Sequence, residues 1–285
     1  MFVDLHMHTY HSDGTMTPKE IVEEGKKKKV SIMAITDHNR ITSWPELSKE
    51  AKAQGITPIR GVEINAIYKD KLLHILGYQF KESKRLLAML KHIDEQMEQM
   101  SIDMIENLEK DDARVSLEAY RKYTYDRTKG GWEGLQYLYE KGVISELSEG
   151  FKYYKNYGKP LLDYPYPTVE EVCETLKEAG GWSVLAHPMA YFQDLDESAL
   201  KQTLEDLRQR GLQGIECYYP THSTLMTQTC EAFCKQHGLL ITTGSDEHGA
   251  FGKQIKSLEQ TIGCMQITRE QIFIEPLLEK IEQNS

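Results

Sequence analysis

No apolar run in this chain approaches the roughly 18 residues that a membrane-spanning helix requires. The opening Met1-Phe2-Val3-Asp4-Leu5-His6 has neither the basic start nor the apolar stretch of a signal peptide, so we expect a cytoplasmic protein with no membrane partner. Cysteine is sparse and scattered. The five residues Cys173, Cys217, Cys230, Cys234 and Cys264 include no C-x-x-C pair, which argues against a disulfide framework or a thiolate zinc site and for reduced, mostly buried thiols. Positive charge is in deficit, with 34 Lys+Arg against 44 Asp+Glu and a net charge of −10, so no long nucleic acid is expected as a partner. A small anionic substrate drawn to a bound metal is compatible with that balance. No glycine-rich phosphate loop follows a strand pattern, and Ser245 sits in no nucleophile-elbow context. Internal repeats and low-complexity linkers are also missing.

What is present is an alternation of short β-branched or apolar runs with helical patterns. Seven candidate strands are Phe2–His6, Ser31–Thr36, Thr57–Ile67, Leu72–Phe80, Trp182–Ala186, Leu212–Tyr219 and Leu239–Thr243. Helix starts are legible between them: Thr17-Pro18 offers a cap followed by a first-turn proline, and Thr168 with Glu171 forms a capping box. Alternation implies a mostly parallel sheet. The pair flanking Tyr68-Lys69-Asp70-Lys71 is too close for a crossover helix and must form a hairpin or sharp bend, so a distorted barrel is expected over a regular eightfold one. Residues 82–167 break the alternation. There Leu86, Leu90, Ile93, Met97, Met100, Met104 and Leu108 recur at spacings of three and four, predicting one long amphipathic helix whose methionines serve packing. We expect an α/β barrel of residues 1–81 and 168–285 capped by a helical insertion, 82–167.

The histidines are placed at strand ends. His6 and His8 end the first strand, His38 the second and His187 the fifth; His74 lies on the fourth, and His248 follows the seventh. Asp13, Glu63 and Asp246 accompany them. In a parallel barrel the C-terminal strand ends open on one face, so these distant residues would converge there. The two-residue separation of His6/His8 and of Asp246/His248 places each pair on one side of a strand, able to chelate. Imidazoles and carboxylates without thiolates suit zinc, manganese or ferrous iron. Taken singly, each has a plainer reading: Asp13 before Gly14 as a turn residue, Glu63 as a partner of Arg60 or a helix lysine, His74 as a satisfied polar group. Six histidines and three acids together exceed the needs of one ion. His11 and Asp37 are supporting candidates, Asp37 by orienting His38. His92, His237 and the Cys230/Cys234 pair are read as structural.

His6-Met7-His8, Asp13-Gly14, Thr36-Asp37-His38, Gly61-Val62-Glu63, His74, Ala186-His187-Pro188 and Ser245-Asp246-Glu247-His248 resemble the metal motifs of the PHP family, named for polymerase and histidinol phosphatase. The resemblance runs from the first strand to about residue 250. It implies a distorted seven-stranded (β/α) barrel related to the amidohydrolases, two or three manganese, zinc or iron ions, and hydrolysis of phosphate esters. It further implies that His6, His8, Glu63 and Asp246 hold one ion, that Glu63 bridges to a second held by His74 and His187, and that Asp13, His38 and His248 hold the third. The helical insertion makes the chain look most like the branch of nucleoside 3′,5′-bisphosphate phosphatases and a cyclic phosphate dihydrolase.

The expected activity is therefore hydrolysis of phosphate mono- or cyclic diesters of small metabolites or nucleotides by metal-bound hydroxide. Asp246 and His222 are the catalytic candidates, His222 as a donor to a phosphoryl oxygen or to the leaving group. Arg127 and Lys129, with His222, are the candidates for holding substrate phosphate. The rivals are an amidohydrolase acting on C–N bonds, which would commonly carry a bridging carbamylated lysine where Glu63 stands, and a non-catalytic metal-binding module, which would have lost ligands.

Overall fold

The computed structural model describes residues 1–255 and 260–283. The chain runs β1 (Phe2–Asp4), α1 (Pro18–Lys27), β2 (Val30–Ile35), α2 (Trp44–Ala53), β3 (Thr57–Tyr68) and β4 (Lys71–Tyr78) before entering α3 (Lys84–Leu108). Short helices α4 (Leu117–Tyr120), α5 (Glu133–Glu140) and α6 (Gly150–Tyr157) follow. The alternation then resumes with α7 (Val169–Glu178), β5 (Trp182–Leu185), α8 (Met189–Phe192), α9 (Glu197–Gln209), β6 (Gly214–Tyr218), α10 (Thr224–His237) and β7 (Leu240–Thr243). Helices α11 (Ala250–Ile255) and α12 (Glu275–Gln283) end it. All seven expected strands form, each within about two residues of its sequence bounds. The tail of the expected second barrel segment, 284–285, and residues 256–259 lie outside the described residues.

The strands stand in sequence order, and the sheet closes on itself past the ends of β1 and β7. Leu5 N donates to Thr243 O at 3.0 Å, Asp246 N to His6 O at 2.8 Å and His8 N to Glu247 O at 2.8 Å. The result is a seven-stranded barrel, distorted because β4 runs antiparallel to both β3 and β5. The two-residue turn Lys69-Asp70, with Lys69 at φ 55°, makes the hairpin. The expected caps are in place: Thr17 and Thr168 each accept from the backbone of the glutamate three residues on, which reaches back to the cap N–H.

The expected insertion, 82–167, contributes most of a second apolar centre, which Phe251 of the later segment completes, and its first helix is shared with the barrel core. Leu86, Leu90 and Ile93 of α3 pack into the barrel core with Tyr164 and Tyr166, whereas Met104, Ile105 and Leu108 join a second core with Tyr120, Leu135, Tyr137, Leu138 and Phe251. One helix thus serves both bodies, because its apolar stripe is longer than either face it covers. The methionine stripe packs as expected, with Met104 fully buried and Met97 and Met100 against the barrel core.

Candidate metal centre

Nine side chains from six strands meet at one end of the barrel. Beyond the assigned end of β1, hydrogen bonding continues through Met7, whose carbonyl accepts from Thr36 N, and this keeps the segment extended enough for His6 and His8 to face inward together. The Asp246/His248 pair gets there differently from the expected strand alternation: Asp246 adopts φ 55°, a kink that folds His248 Nδ1 to 2.8 Å from the Asp246 carbonyl. His74 also departs from the strand-end picture. Because β4 is reversed, His74 enters from the first half of its strand, opposite Asn65. Gly14 allows the Asp13 turn to close over His8, since an added Cβ would lie 2.4 Å from His8 O.

Glu63 is at the centre and fully buried. Its Oε2 lies 3.0 Å from His6 Nε2, 3.1 Å from His8 Nε2 and 3.3 Å from His38 Nδ1; its Oε1 lies 2.9 Å from His74 Nδ1 and 3.0 Å from His187 Nε2. Arg60 pairs with Glu82 instead, at 2.6 Å, which disposes of the plainer reading of Glu63. Asp246 Oδ1 is 3.2 Å from His8 Nε2, and Asp13 Oδ2 is 3.4 Å from His248 Nε2. Donor atoms fall into three overlapping sets, each within 4.8 Å: His6, His8, Glu63 and Asp246; His38, Glu63 and His74; His8, Asp13, His38 and His248.

These residues fit divalent metal ions. The buried Nδ1 atoms of His8, His38, His74 and His187 make no well-formed hydrogen bond, although those of His38 and His74 are close to Glu63, and His6 Nε2 sits only 3.1 Å from His8 Nε2. Nitrogen lone pairs and carboxylates packed this closely away from water are costly unless cations lie among them. The field is correspondingly anionic. Burial works against a charged imidazole, yet Asp246 and Glu63 push His8 up to about 9, and Glu63, Glu216 and Asp246 hold His6 well above the ordinary range. Burial would likewise raise Glu63, but His6, His38 and His74 outweigh it and hold the carboxyl well below its usual value.

Two supporting residues escaped sequence reasoning. The Tyr219 hydroxyl donates to Asp246 Oδ2 at 2.8 Å while accepting from Gln260 Nε2 at 3.0 Å. Burial, then the Asp246 carboxylate, raises this phenol, so it keeps its proton. Glu216, fully buried on β6, lies 3.0 Å from His6 Nδ1. A glutamate between Ile215 and Cys217 in an otherwise apolar strand was the signal available. Asp37, in contrast, does not orient His38. Its carboxylate accepts from Thr9 N, Thr9 Oγ1 and Ser12 Oγ at 2.7 to 2.9 Å and so ties down the loop that carries Asp13. His11 pairs with Thr42 Oγ1 at 2.9 Å.

The insertion reaches the centre through the loop Tyr125–Trp132. Gly131 N donates to Asp13 O at 2.7 Å, and the Tyr125 hydroxyl lies 2.6 Å from the carbonyls of both Gly130 and Gly131, which share its one proton. Arg127 is half-buried above this loop and, among the described residues, has no carboxylate partner within 4 Å; its guanidinium lies 5.8 Å over the Tyr125 ring. Burial and then the nearby Arg40 guanidinium depress it. Lys129 instead points to the surface and pairs with Glu140 at 2.7 Å. His222 does not carry the proton expected of it. Its Nδ1 donates to Cys217 O at 3.0 Å, leaving Nε2 buried as a bare lone pair, and burial depresses the ring to about 4 against the opposing pull of that carbonyl.

The remaining expectations resolve simply. His92 Nε2 contacts Pro165 O at 2.7 Å, and His237 packs on Phe233. All five cysteines are free and four are buried, with Cys217 and Cys234 in contact at 3.9 Å. Among the described residues no helix is long and apolar enough to cross a membrane.

Fold and centre together define a metal-binding barrel hydrolase, and comparison with known proteins agrees. The chain belongs to the PHP domain family, which matches residues 4–182. It is 27% identical over 274 residues to the 3′,5′-nucleoside bisphosphate phosphatase of Chromobacterium violaceum, covering 94% of this chain and 95% of that protein. It is 28% identical over 254 residues to a 5′-3′ exoribonuclease of Haemophilus influenzae, covering 86% and 89%. Among solved structures, a protein of Bifidobacterium adolescentis described as a metal-dependent phosphoesterase superposes with a TM-score of 0.75 at 25% identity, covering 99% of this chain and 96% of that one.

Proposed function

We propose that this protein hydrolyses phosphate esters of small metabolites or nucleotides, with the nine converged residues holding two or three divalent ions. The class is metal-dependent phosphoesterase, and the observation that carries it is the buried cluster around Glu63, which brings carboxylate oxygens and imidazole nitrogens within 4.8 Å of one another. His6, His8, Glu63 and Asp246 would hold one ion, His74 and His187 with Glu63 a second, and Asp13, His38 and His248 the third. When bound, such ions lower the pKa of a water nucleophile and neutralise charge on phosphoryl oxygens. Manganese, zinc and iron all suit the donor set.

The chain's own groups divide the remaining work. Asp246, with Oδ1 in the cluster and Oδ2 held by Tyr219, would take the proton that a water nucleophile loses and return it to the leaving-group oxygen as the P–O bond breaks. His222, neutral with an open Nε2, accepts a hydrogen bond from a substrate hydroxyl. Arg127, on the loop that Gly131 ties to Asp13, takes a phosphate other than the reacting one. Residues 82–167 thus act as the cap that selects substrate. A reducing cytoplasm suits the five free thiols.

The test is a panel run on manganese-loaded protein: a nucleoside 3′,5′-bisphosphate, a cyclic phosphate, an aryl phosphate, a 5′-phosphorylated RNA oligonucleotide and a set of amide and deaminase substrates. Chelator-sensitive phosphate release from the small esters is expected. Turnover confined to C–N bonds, or to the RNA, overturns the reading.

A further inference from the structure

Six strands of the barrel, or the segments continuing them, carry the proposed ligands; β6 carries none, yet it places a glutamate in the middle of the barrel wall. Glu216 has no exposed surface, and an ionised carboxylate there is costly unless fully engaged. Both of its oxygens are. Oε1 lies 3.0 Å from His6 Nδ1, and Oε2 accepts from the backbone N–H of His187 at 2.9 Å. Its two partners therefore belong to two of the proposed ligands, one through the ring and one through the main chain. His187 adopts φ 28°, a value that a side-chain-bearing residue holds only with help from its surroundings. Gly244 leaves room for this arrangement, since a Cβ there would lie 2.1 Å from His6 Cβ and 2.6 Å from Glu216 Oε1.

We infer that Glu216 is a positioning residue that fixes the tautomer of His6 and the backbone turn of His187, so that both Nε2 atoms face Glu63 ready for metal. A carboxylate can only accept, so it demands a proton on His6 Nδ1 and leaves Nε2 as the lone pair. Both Nε2 atoms do point there: His6 Nε2 is 3.0 Å from Glu63 Oε2 and His187 Nε2 is 3.0 Å from Glu63 Oε1. A neutral amide of the same shape cannot serve both partners. If the oxygen of a glutamine kept the His187 N–H, its NH₂ would face His6 Nδ1 and drive the ring proton to Nε2, the position needed for the ion.

This inference rests on the metal reading above, and the experiment separates the two. Zinc affinity of wild type and Glu216→Gln is measured by competition with a chromophoric chelator, and the imidazole protons of the zinc-loaded proteins are assigned by ¹⁵N-resolved NMR. Wild type should show a His6 Nδ1 proton hydrogen-bonded to carboxylate, and the variant should lose that resonance and bind zinc about 10- to 100-fold more weakly. Equal zinc affinity with an unchanged His6 resonance overturns the inference while leaving the metal reading intact. Wild type that takes up no zinc overturns both. Should the variant fail to fold, the wild-type spectrum still decides: a zinc-loaded His6 without a proton on Nδ1 refutes the assignment.

Discussion

Gly130→Ala tests whether the cap acts through its loop. Gly130 has φ 72° and ψ 176°, a region open essentially to glycine alone, so alanine there carries strain of about 1–3 kcal/mol. An added Cβ would also lie 2.5 Å from Phe251 Cβ, 2.8 Å from Thr15 Cγ2 and 2.9 Å from Asp13 O, and relieving such overlap costs about another 1–3 kcal/mol. Against this stands the bond that docks the loop on the barrel, Gly131 N to Asp13 O, on the order of 0.5–1.5 kcal/mol net. The Tyr125 hydroxyl and Gln136 Nε2 reach the glycine carbonyls from within residues 82–167 and resist only a change in the loop's own shape. The strain matches or exceeds the docking bond, so the loop should lift away from Asp13 in a large fraction of molecules while the barrel stays folded. Steady-state kinetics on a nucleoside 3′,5′-bisphosphate and on an aryl phosphate, with metal content measured on the same samples, gives the readout. Full metal content is expected, with kcat/KM down roughly tenfold on the bisphosphate and much less on the aryl phosphate. Undiminished bisphosphate turnover refutes the loop's role. An equal loss on both substrates with depleted metal means that the loop supports Asp13 rather than selecting substrate.

Arg127→Ala should keep its metal and lose about 10- to 100-fold in kcat/KM on the bisphosphate, the worth of a charge-assisted bond, whereas Lys129→Ala, whose exposed ammonium already pairs with Glu140, should change it less than about threefold. Asp246→Ala should lower the metal content found by elemental analysis, and fully active wild type holding at most one ion per chain contradicts the multi-ion centre. A single turnover in isotopically labelled water should put one solvent oxygen into the released phosphate; a trapped phosphorylated side chain would require a covalent route instead. Asp103 on α3 is held below its ordinary value of 3.8: burial opposes this, but Gln99, Lys159 and Tyr164 outweigh it. Its contribution to stability is present above that unfolded value and lost as pH falls through the lower folded one, so Asp103→Asn should reduce Tm at neutral pH and flatten its decline in acid; an unchanged acid profile counts against the carboxylate.

The cluster of proposed ligands was legible because metal binding calls for residue types that the surrounding chemistry does not otherwise favour. A histidine or acid at the end of an apolar strand stands out against its neighbours, and when six strands each supply one the pattern needs no geometry to be noticed. The hairpin at Lys69-Asp70 was legible for a similar reason, since too few residues separate the two strands for any crossover. Its consequence was not. Reversing β4 brings His74 into the centre from the first half of the strand, and only the register with β3, which sets His74 opposite Asn65, shows that the reversal and the ligand are compatible.

Supporting groups were harder to read because their effect depends on which atom of a partner they touch. Asp37 and His38 are neighbours in sequence, which suggested that one orients the other; the fold spends Asp37 on Thr9 and Ser12 of the loop that follows the adjacent strand β1 instead. His6 is oriented by Glu216, 210 residues away, and Asp246 is steadied by Tyr219 from the same strand end. The separation follows from closure of the barrel. A ligand on one strand has free ring edges facing laterally, along the wall, and the groups that can reach those edges lie on strands that are neighbours in space. For β1 that neighbourhood includes the last strands of the chain as well as β2, and the partner of its first histidine comes from β6, in the C-terminal third. A buried acid on a strand without a ligand of its own, as on β6, is then the feature to look for: nothing at its own site requires the charge, so the requirement lies with a neighbour.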